Sequence, residues 1–252
     1  MSKSRLHLED RFVILAAPRS GSNMLCTMLG SHSSILCHHE VFNPKGIRVA
    51  LPLRDTDFSL GTVEERRAAP EAFLERIWTR NLGFPSVGFK FTYRQDEAIY
   101  RRLLADDTIA KIVLRRQNRM KAYVSHRISE TLDEWEVYSE RNLMHDRPRV
   151  SVDPGRFLER VAFDEAYYRE IQQAVTSGGH SWIEVRYERL SSLAEQNAIL
   201  GFLGVEPTSE GLKPRSIKQN SSHLRDLVVN FEELVRYFAG TEFEAELHAV
   251  SN

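Results

Sequence analysis

Short apolar runs alternate with stretches of helical spacing along this chain. Phe12 to Ala17 is an unbroken apolar run, and Ile109 to Leu114 is a second, rich in β-branched residues. Ser34 to Cys37, Ser86 to Phe91 and Ser181 to Val185 read as further strands. Helical spacing follows several of them. Met24, Leu25, Met28 and Leu29 share one face, with Gly30 as a stop. Glu71 to Trp78 is helix-like, Met120, Tyr123, Val124 and Ile128 recur at i, i+3, i+4 and i+8, and Leu193 to Leu203 carries a similar face. Strands alternating with helices predict a three-layer α/β fold, its central, mostly parallel sheet covered by helices on both faces. Ligands of such sheets bind beyond the carboxyl ends of the strands, where the turns after Ala17 and Leu114 fall. Residues 43–70 and 128–154 lack clear periodicity and read as substrate-covering insertions in a single domain spanning 1–252.

The turn after the first strand is the most informative segment. Pro18-Arg19-Ser20-Gly21-Ser22-Asn23 is small, polar and contains one Gly, and a helical pattern starts at once behind it. Strand, tight turn and helix aim free backbone N–H groups and the positive end of a helix dipole at an anion. Arg19 adds a fixed charge and a fork of donors, so a phosphate or sulfate group is the expected ligand.

Composition narrows the class. With 34 Lys and Arg against 35 Asp and Glu, the net charge of −1 argues against a general nucleic-acid binder. The distribution is more telling. Lys111 to Arg127 holds six cations and no acid, and Gly211 to Arg225 holds Lys213, Arg215, Lys218 and Arg225 and no acid. Two such segments in a near-neutral chain suggest a pocket for a compact polyanion. The longest apolar run near the start is too short for a membrane span or a signal peptide. Cys26 and Cys37 are the only cysteines, without a C-x-x-C, so a disulfide scaffold or structural zinc is not expected and the cytoplasm is the default compartment.

The ATP-binding pattern G-x-x-x-x-G-K-S/T is absent, because the turn has one Gly and no Lys. Pro18 to Asn23 with its helix instead resembles the 5′-phosphosulfate loop of sulfotransferases. Leu114-Arg115-Arg116 through Ser125 resembles the 3′-phosphate motif of the same family, with Arg116 nine residues before Ser125 and Arg115 as the competing assignment. Cys37 to Asn43 resembles the acidic element after the second strand of the bacterial carbohydrate-type members. Val185 to Leu190 resembles their tyrosine–glutamate turn. Lys218-Gln219-Asn220, with Leu227 to Leu234 after it, resembles their C-terminal end. The resemblance runs from residue 12 to residue 238 with gaps at both insertions. Trehalose, lipopolysaccharide and nodulation-factor sulfotransferases are the most similar groups.

The resemblance implies a P-loop-like phosphosulfate-binding loop and transfer of a sulfuryl group from 3′-phosphoadenosine 5′-phosphosulfate (PAPS) to a hydroxyl, leaving adenosine 3′,5′-bisphosphate (PAP). The acceptor it implies is a carbohydrate, glycolipid or other small-molecule alcohol. Arg19 would neutralise charge on the leaving phosphate, and Ser20, Gly21, Ser22 and Asn23 would hold the rest of it. Arg116 and Ser125 would grip the 3′-phosphate, with Arg215 and Lys218 closing over it. Fixed cations stand in for a metal, so none is expected. The strand Lys90-Phe91-Thr92 lacks the His that many cytosolic members use as base. Glu40 is therefore the first candidate base and His39 the second, with burial expected to raise the Glu40 pKa and Arg19 to oppose that. His38, His39 and Glu40 do not suit a metal, since adjacent strand residues point to opposite faces. Trehalose-type relatives can dimerise, so a homodimer is compatible with the family. Two competing readings are a small-molecule kinase of related architecture and a non-catalytic PAP-binding module. The plain expectations elsewhere are a solvated Lys90, core packing for Trp78, Trp135, Tyr138, Met24 and Met28, a loop-satisfying Glu188 and a capping Asn230.

Overall fold

The computed structural model describes residues 11–139 and 147–250. Five strands appear: β1 (Arg11–Ala16), β2 (Ile35–His38), β3 (Ser86–Thr92), β4 (Ala110–Arg115) and β5 (Trp182–Arg186). Each predicted strand is found, displaced by at most one residue at either end. They form one sheet in the order β2-β3-β1-β4-β5, and every neighbouring pair is parallel. β1 occupies the centre, which is why its residues are apolar without alternation: both of its faces are covered.

The helices among the described residues are α1 (Ser22–Leu29), α2 (Val63–Ala68), α3 (Pro70–Thr79), α4 (Glu97–Ala105), α5 (Arg119–Leu132), α6 (Pro154–Ser177), α7 (Leu193–Phe202), α8 (Leu224–Leu227), α9 (Phe231–Tyr237) and α10 (Glu244–His248). Val13 and Leu15 on one face of the sheet pack with Phe73 of α3, Leu103 of α4 and Ile171 of α6. Phe12, Ile14 and Ala16 on the other pack with Leu25 of α1 and Leu200 of α7. That is the three-layer arrangement the alternation implied. A third cluster joins α5 to the C-terminal helices through Met120, Val124, Leu234 and Leu247.

The longest helices that lie where no element was expected are α6 and α4. α6 has an irregular apolar pattern, with Phe157 buried while Leu158 and Phe163 are exposed. Its start is nevertheless written in the sequence: Asp153 accepts the Arg156 N–H, and Pro154 takes the first helical position. α4 is capped in the same way by Asp96. The boundaries of the insertions also change. Residues 128–132 close α5, with Ile128 and Ser129 buried, and Asp133 ends that helix at a left-handed φ of 49°. The first insertion holds α2, and Pro70 opens α3.

The register carries the site. Ala16 and Leu114 are paired residues on adjacent strands, so the turns that follow them emerge side by side. Tyr168 of α6 locks them. Its hydroxyl accepts the Ala17 N–H at 2.9 Å and donates to the Leu114 carbonyl at 2.8 Å, both bonds buried. Tyr168→Phe leaves a buried donor and a buried acceptor unpaired. It is expected to destabilise the fold by about 2 kcal/mol in urea denaturation. A loss below the error of that measurement would remove Tyr168 from this role.

Candidate active site

The loop between β1 and α1 is a tight cradle. Arg19 sits at φ 65° and Gly21 at φ 93°, both left-handed, and the second of these is costly for any residue but Gly. Gly21 is required for space as well. A Cβ there would lie 2.1 Å from the Tyr187 ring. α1 has no acidic residue in its first turn and no side-chain cap, so its leading N–H groups face the cradle uncompensated. Ser20 Oγ is buried there with no hydrogen-bond partner.

The second motif meets this loop directly. Arg116 Nη1 donates to the Arg19 carbonyl at 3.1 Å, and its guanidinium lies 4.6 Å from the centre of the Tyr187 ring. Arg19 in turn donates from Nε to Ser125 Oγ at 2.9 Å, from Nη1 to the Trp135 carbonyl and from Nη2 to Gln219. Burial, then the charges of Arg116 and Arg147, lower the Arg19 pKa to about 10. Arg116 Nε is buried and unpartnered. Arg115 goes elsewhere: it pairs with Glu165 at 2.7 Å and stacks on Tyr168.

Lys121 completes the cationic cluster. Burial, Arg116 and Lys218 together pull its pKa down to about 8, so Lys218 lies within electrostatic reach of it. Arg215 is not brought to Arg116 by any contact; its backbone N–H is held by Thr27 on α1. The rest of the basic segment disperses. Lys111 is buried at the other end of β4 against backbone carbonyls, and Arg119 pairs with Glu242 and Glu246. The α5 N-terminus is not an open anion site, because Glu188 accepts the Gln117 and Asn118 N–H groups and Glu246 accepts that of Met120. Any anion here would be held by side chains rather than by the helix end.

Glu40 and His39 follow β2 on the far side of the loop. Lys90, expected to be solvated, is 3% exposed; it pairs with Glu40 at 2.9 Å and donates to Asn23 of the loop. Asn43, Thr92 and Gln95 also donate to the Glu40 carboxylate. Burial pushes the Glu40 pKa up, but Lys90 and these donors outweigh it and bring the value down to about 2. The opposing charge is thus Lys90, not Arg19. His39 is buried, with Nδ1 3.4 Å from Asn23 Oδ1 and 3.2 Å from the Tyr138 hydroxyl. Burial, then Lys90, Arg54 and His38, hold it neutral. His38 is neutral as well, lowered to about 4 by burial.

No family model matches this chain. A sequence relative is Nodulation protein H of Rhizobium tropici, 24% identical over 241 residues, covering 92% of this chain and 90% of the relative. The solved sulfotransferase domain from the curacin biosynthetic pathway superposes with a TM-score of 0.50 at 17% identity, covering 98% of this chain and 85% of that one. In fold, the chain is similar to solved sulfotransferases. A sulfotransferase from Alicyclobacillus acidocaldarius superposes with a TM-score of 0.49 at 18% identity, covering 94% of each chain.

Several neighbours of the candidate site were not singled out as site residues in the sequence. Trp135 and Tyr138 lie beyond α5 rather than in a helix core, and both touch the site, through Arg19 and His39. Trp78 is core, as expected. Gln219 and Asn220 bond Arg19 and Ser125, and Arg147 reaches Asn220 and Glu134. Their sequence signal was only the short Lys218-Gln219-Asn220 match. Asn230 holds the N-cap position of α9 as expected, but its side chain makes no cap bond and instead clamps both backbone groups of Val152. Among the described residues no cluster of metal-ligating side chains occurs, and no helix is long and apolar enough to cross a membrane.

Removing the Lys90 cation tests the electrostatics. In Lys90→Met the Glu40 pKa is expected to rise from about 2 to about 4, since an adjacent opposite charge depresses a carboxyl by one to three units. Carbon-detected NMR titration of the Glu40 carboxyl reads this, and an unchanged value would break the assigned pair. The depressed pKa also adds stability that is complete above pH 4.5 and fades as the pH falls toward 2.

Proposed function

We propose that the chain moves a sulfuryl group from PAPS to a hydroxyl of a carbohydrate, glycolipid or other small-molecule alcohol. The observation that carries this reading is the junction of the two phosphate motifs, in which Arg116 holds the Arg19 carbonyl and Arg19 holds Ser125. The residues fit an anionic donor: Ser20 Oγ and Arg116 Nε are buried polar atoms without partners, an arrangement that is unfavourable until a ligand satisfies it. Kinship with Nodulation protein H over nearly the whole chain supports a glycan-like acceptor.

PAPS supplies a sulfuryl group joined to a phosphate leaving group. The chain's residues align the reactants and neutralise charge in what is expected to be a loose, in-line transfer. Arg19, the leading N–H groups of α1 and the hydroxyls of Ser20 and Ser22 stabilise the charge that grows on the leaving phosphate. Arg116, Ser125 and Lys121 grip the 3′-phosphate, with Lys218 beside them. Glu40 takes the acceptor proton. In the pair with Lys90 it is a weak base, but Lys90 also reaches Asn23 of the loop. Negative charge placed beside Asn23 draws Lys90 away, and the carboxyl becomes more basic. His39 is the alternative base, available only once Tyr138 moves off its Nδ1.

PAP at a hundredfold its dissociation constant is expected to stabilise the fold by ~2.7 kcal/mol in thermal shift, with little effect from ATP and magnesium. The reverse ranking would favour a kinase. Arg116→Ala should weaken PAP binding by about 2 kcal/mol, roughly thirtyfold. Glu40→Gln should leave PAP binding intact and cut sulfuryl transfer from PAPS to a sugar panel about a hundredfold. Full turnover in that variant would pass the role to His39.

A further inference from the structure

Segment 47–61, between Glu40 and α2, folds around a cleft of about 320 Å³. Its apolar wall is Ile47, Leu53, Phe58 and Leu60; its charged residues are Arg48 and Arg54, and no acid lines it. Asp55 and Asp57 belong to the same segment but lie exposed outside the lining. A cleft of this size holds a ligand of a few hundred cubic ångströms, with a few polar groups setting its orientation.

The cations are placed for a ligand rather than for each other's neighbours. Arg54 Nη1 pairs with Glu136 at 2.8 Å, its guanidinium stacks 5.3 Å from the Tyr138 ring centre, and its Nη2 is buried with no partner. Arg48 is exposed, and among the described residues its side chain meets no carboxylate. Its backbone N–H donates to the Glu40 carbonyl at 3.2 Å, so the cleft begins beside the candidate base. Arg80 stacks on Phe58 and adds a third cation nearby. The path to the phosphate loop is short: Glu136 lies 3.8 Å from His39 Nδ1, which lies 3.4 Å from Asn23.

Resting on the sulfotransferase reading, we propose that this cleft is the specificity site for the acceptor. It takes an acceptor that carries a carboxylate or another anionic group beside an apolar segment. Two arginine forks facing an apolar wall, with unused donors and no carboxylate in the lining, match that chemistry. A neutral sugar would leave the donors unsatisfied.

The test compares 4-nitrophenyl β-D-glucuronide with 4-nitrophenyl β-D-glucoside, which differ in the carboxylate. Each is titrated calorimetrically into the full chain saturated with PAP. The glucuronide is expected to bind at least about tenfold more tightly. Arg48→Gln with Arg54→Gln should abolish that preference without changing PAP affinity, and Arg54→Lys, which keeps the charge, should retain part of it. Equal binding of the two glycosides, no binding of the glucuronide at millimolar concentration, or a preference that survives the double substitution would overturn the proposal. Failure of PAP itself to bind would instead strike the sulfotransferase reading.

Discussion

The site depends on one adjacency: Ala16 and Leu114 are register partners on parallel neighbours at the centre of the sheet. Parallel pairing sends both chains out of the same edge, so the loops that follow must share the space above it. Tyr168 makes the separation of those loops rigid by bonding the first peptide of one and the last carbonyl of the other. Arg116 can then reach the Arg19 carbonyl, and Arg19 can reach Ser125 on α5. A slip of one residue in β4 would send Arg115 toward the loop and Arg116 to the opposite face. As built, Arg115 is taken by Glu165 of α6.

Cations are concentrated where an anion is expected. Arg19, Arg116 and Lys121 are each pulled below their ordinary pKa, chiefly by burial. Acids are present close by, but Glu188 and Glu246 are spent on backbone N–H groups at the α5 end. The Lys90–Glu40 pair shows the opposite solution: a buried cation and a buried carboxylate neutralise each other, with extra donors on the carboxylate. A buried pair gains little net stability unless such donors are supplied, and here they also aim Lys90 at the loop.

The insertions do more than cover the sheet. Arg66 of α2 donates to the Val41 and Asn43 carbonyls and so holds the turn that presents Glu40. Arg54 crosses to Glu136 and Tyr138, tying the first insertion to the second. The surroundings of Glu40 and His39 are therefore a joint product of two irregular segments. That irregularity is the reason they showed no periodicity.

Local sequence was enough for the strands, for α1, for the tight turn between β1 and α1 and for an Arg at the end of β4. Each of these rests on near neighbours: an apolar run, a turn that needs Gly21, a helix start, an Arg at a strand end. What the helix caps at Asp96 and Asp153 announced was equally local, though the irregular apolar pattern behind Asp153 hid α6; α4 went unread although Ile99, Tyr100, Leu103 and Leu104 share one buried face. Tertiary structure alone decided which arginine faces the loop, that Lys90 is buried on Glu40, that the Glu40 pKa is lowered rather than raised, and that Tyr168 joins the two strand ends. Those outcomes depend on burial and on charges brought together from distant segments, and electrostatic energy depends on distance in space, which spacing along a chain does not contain.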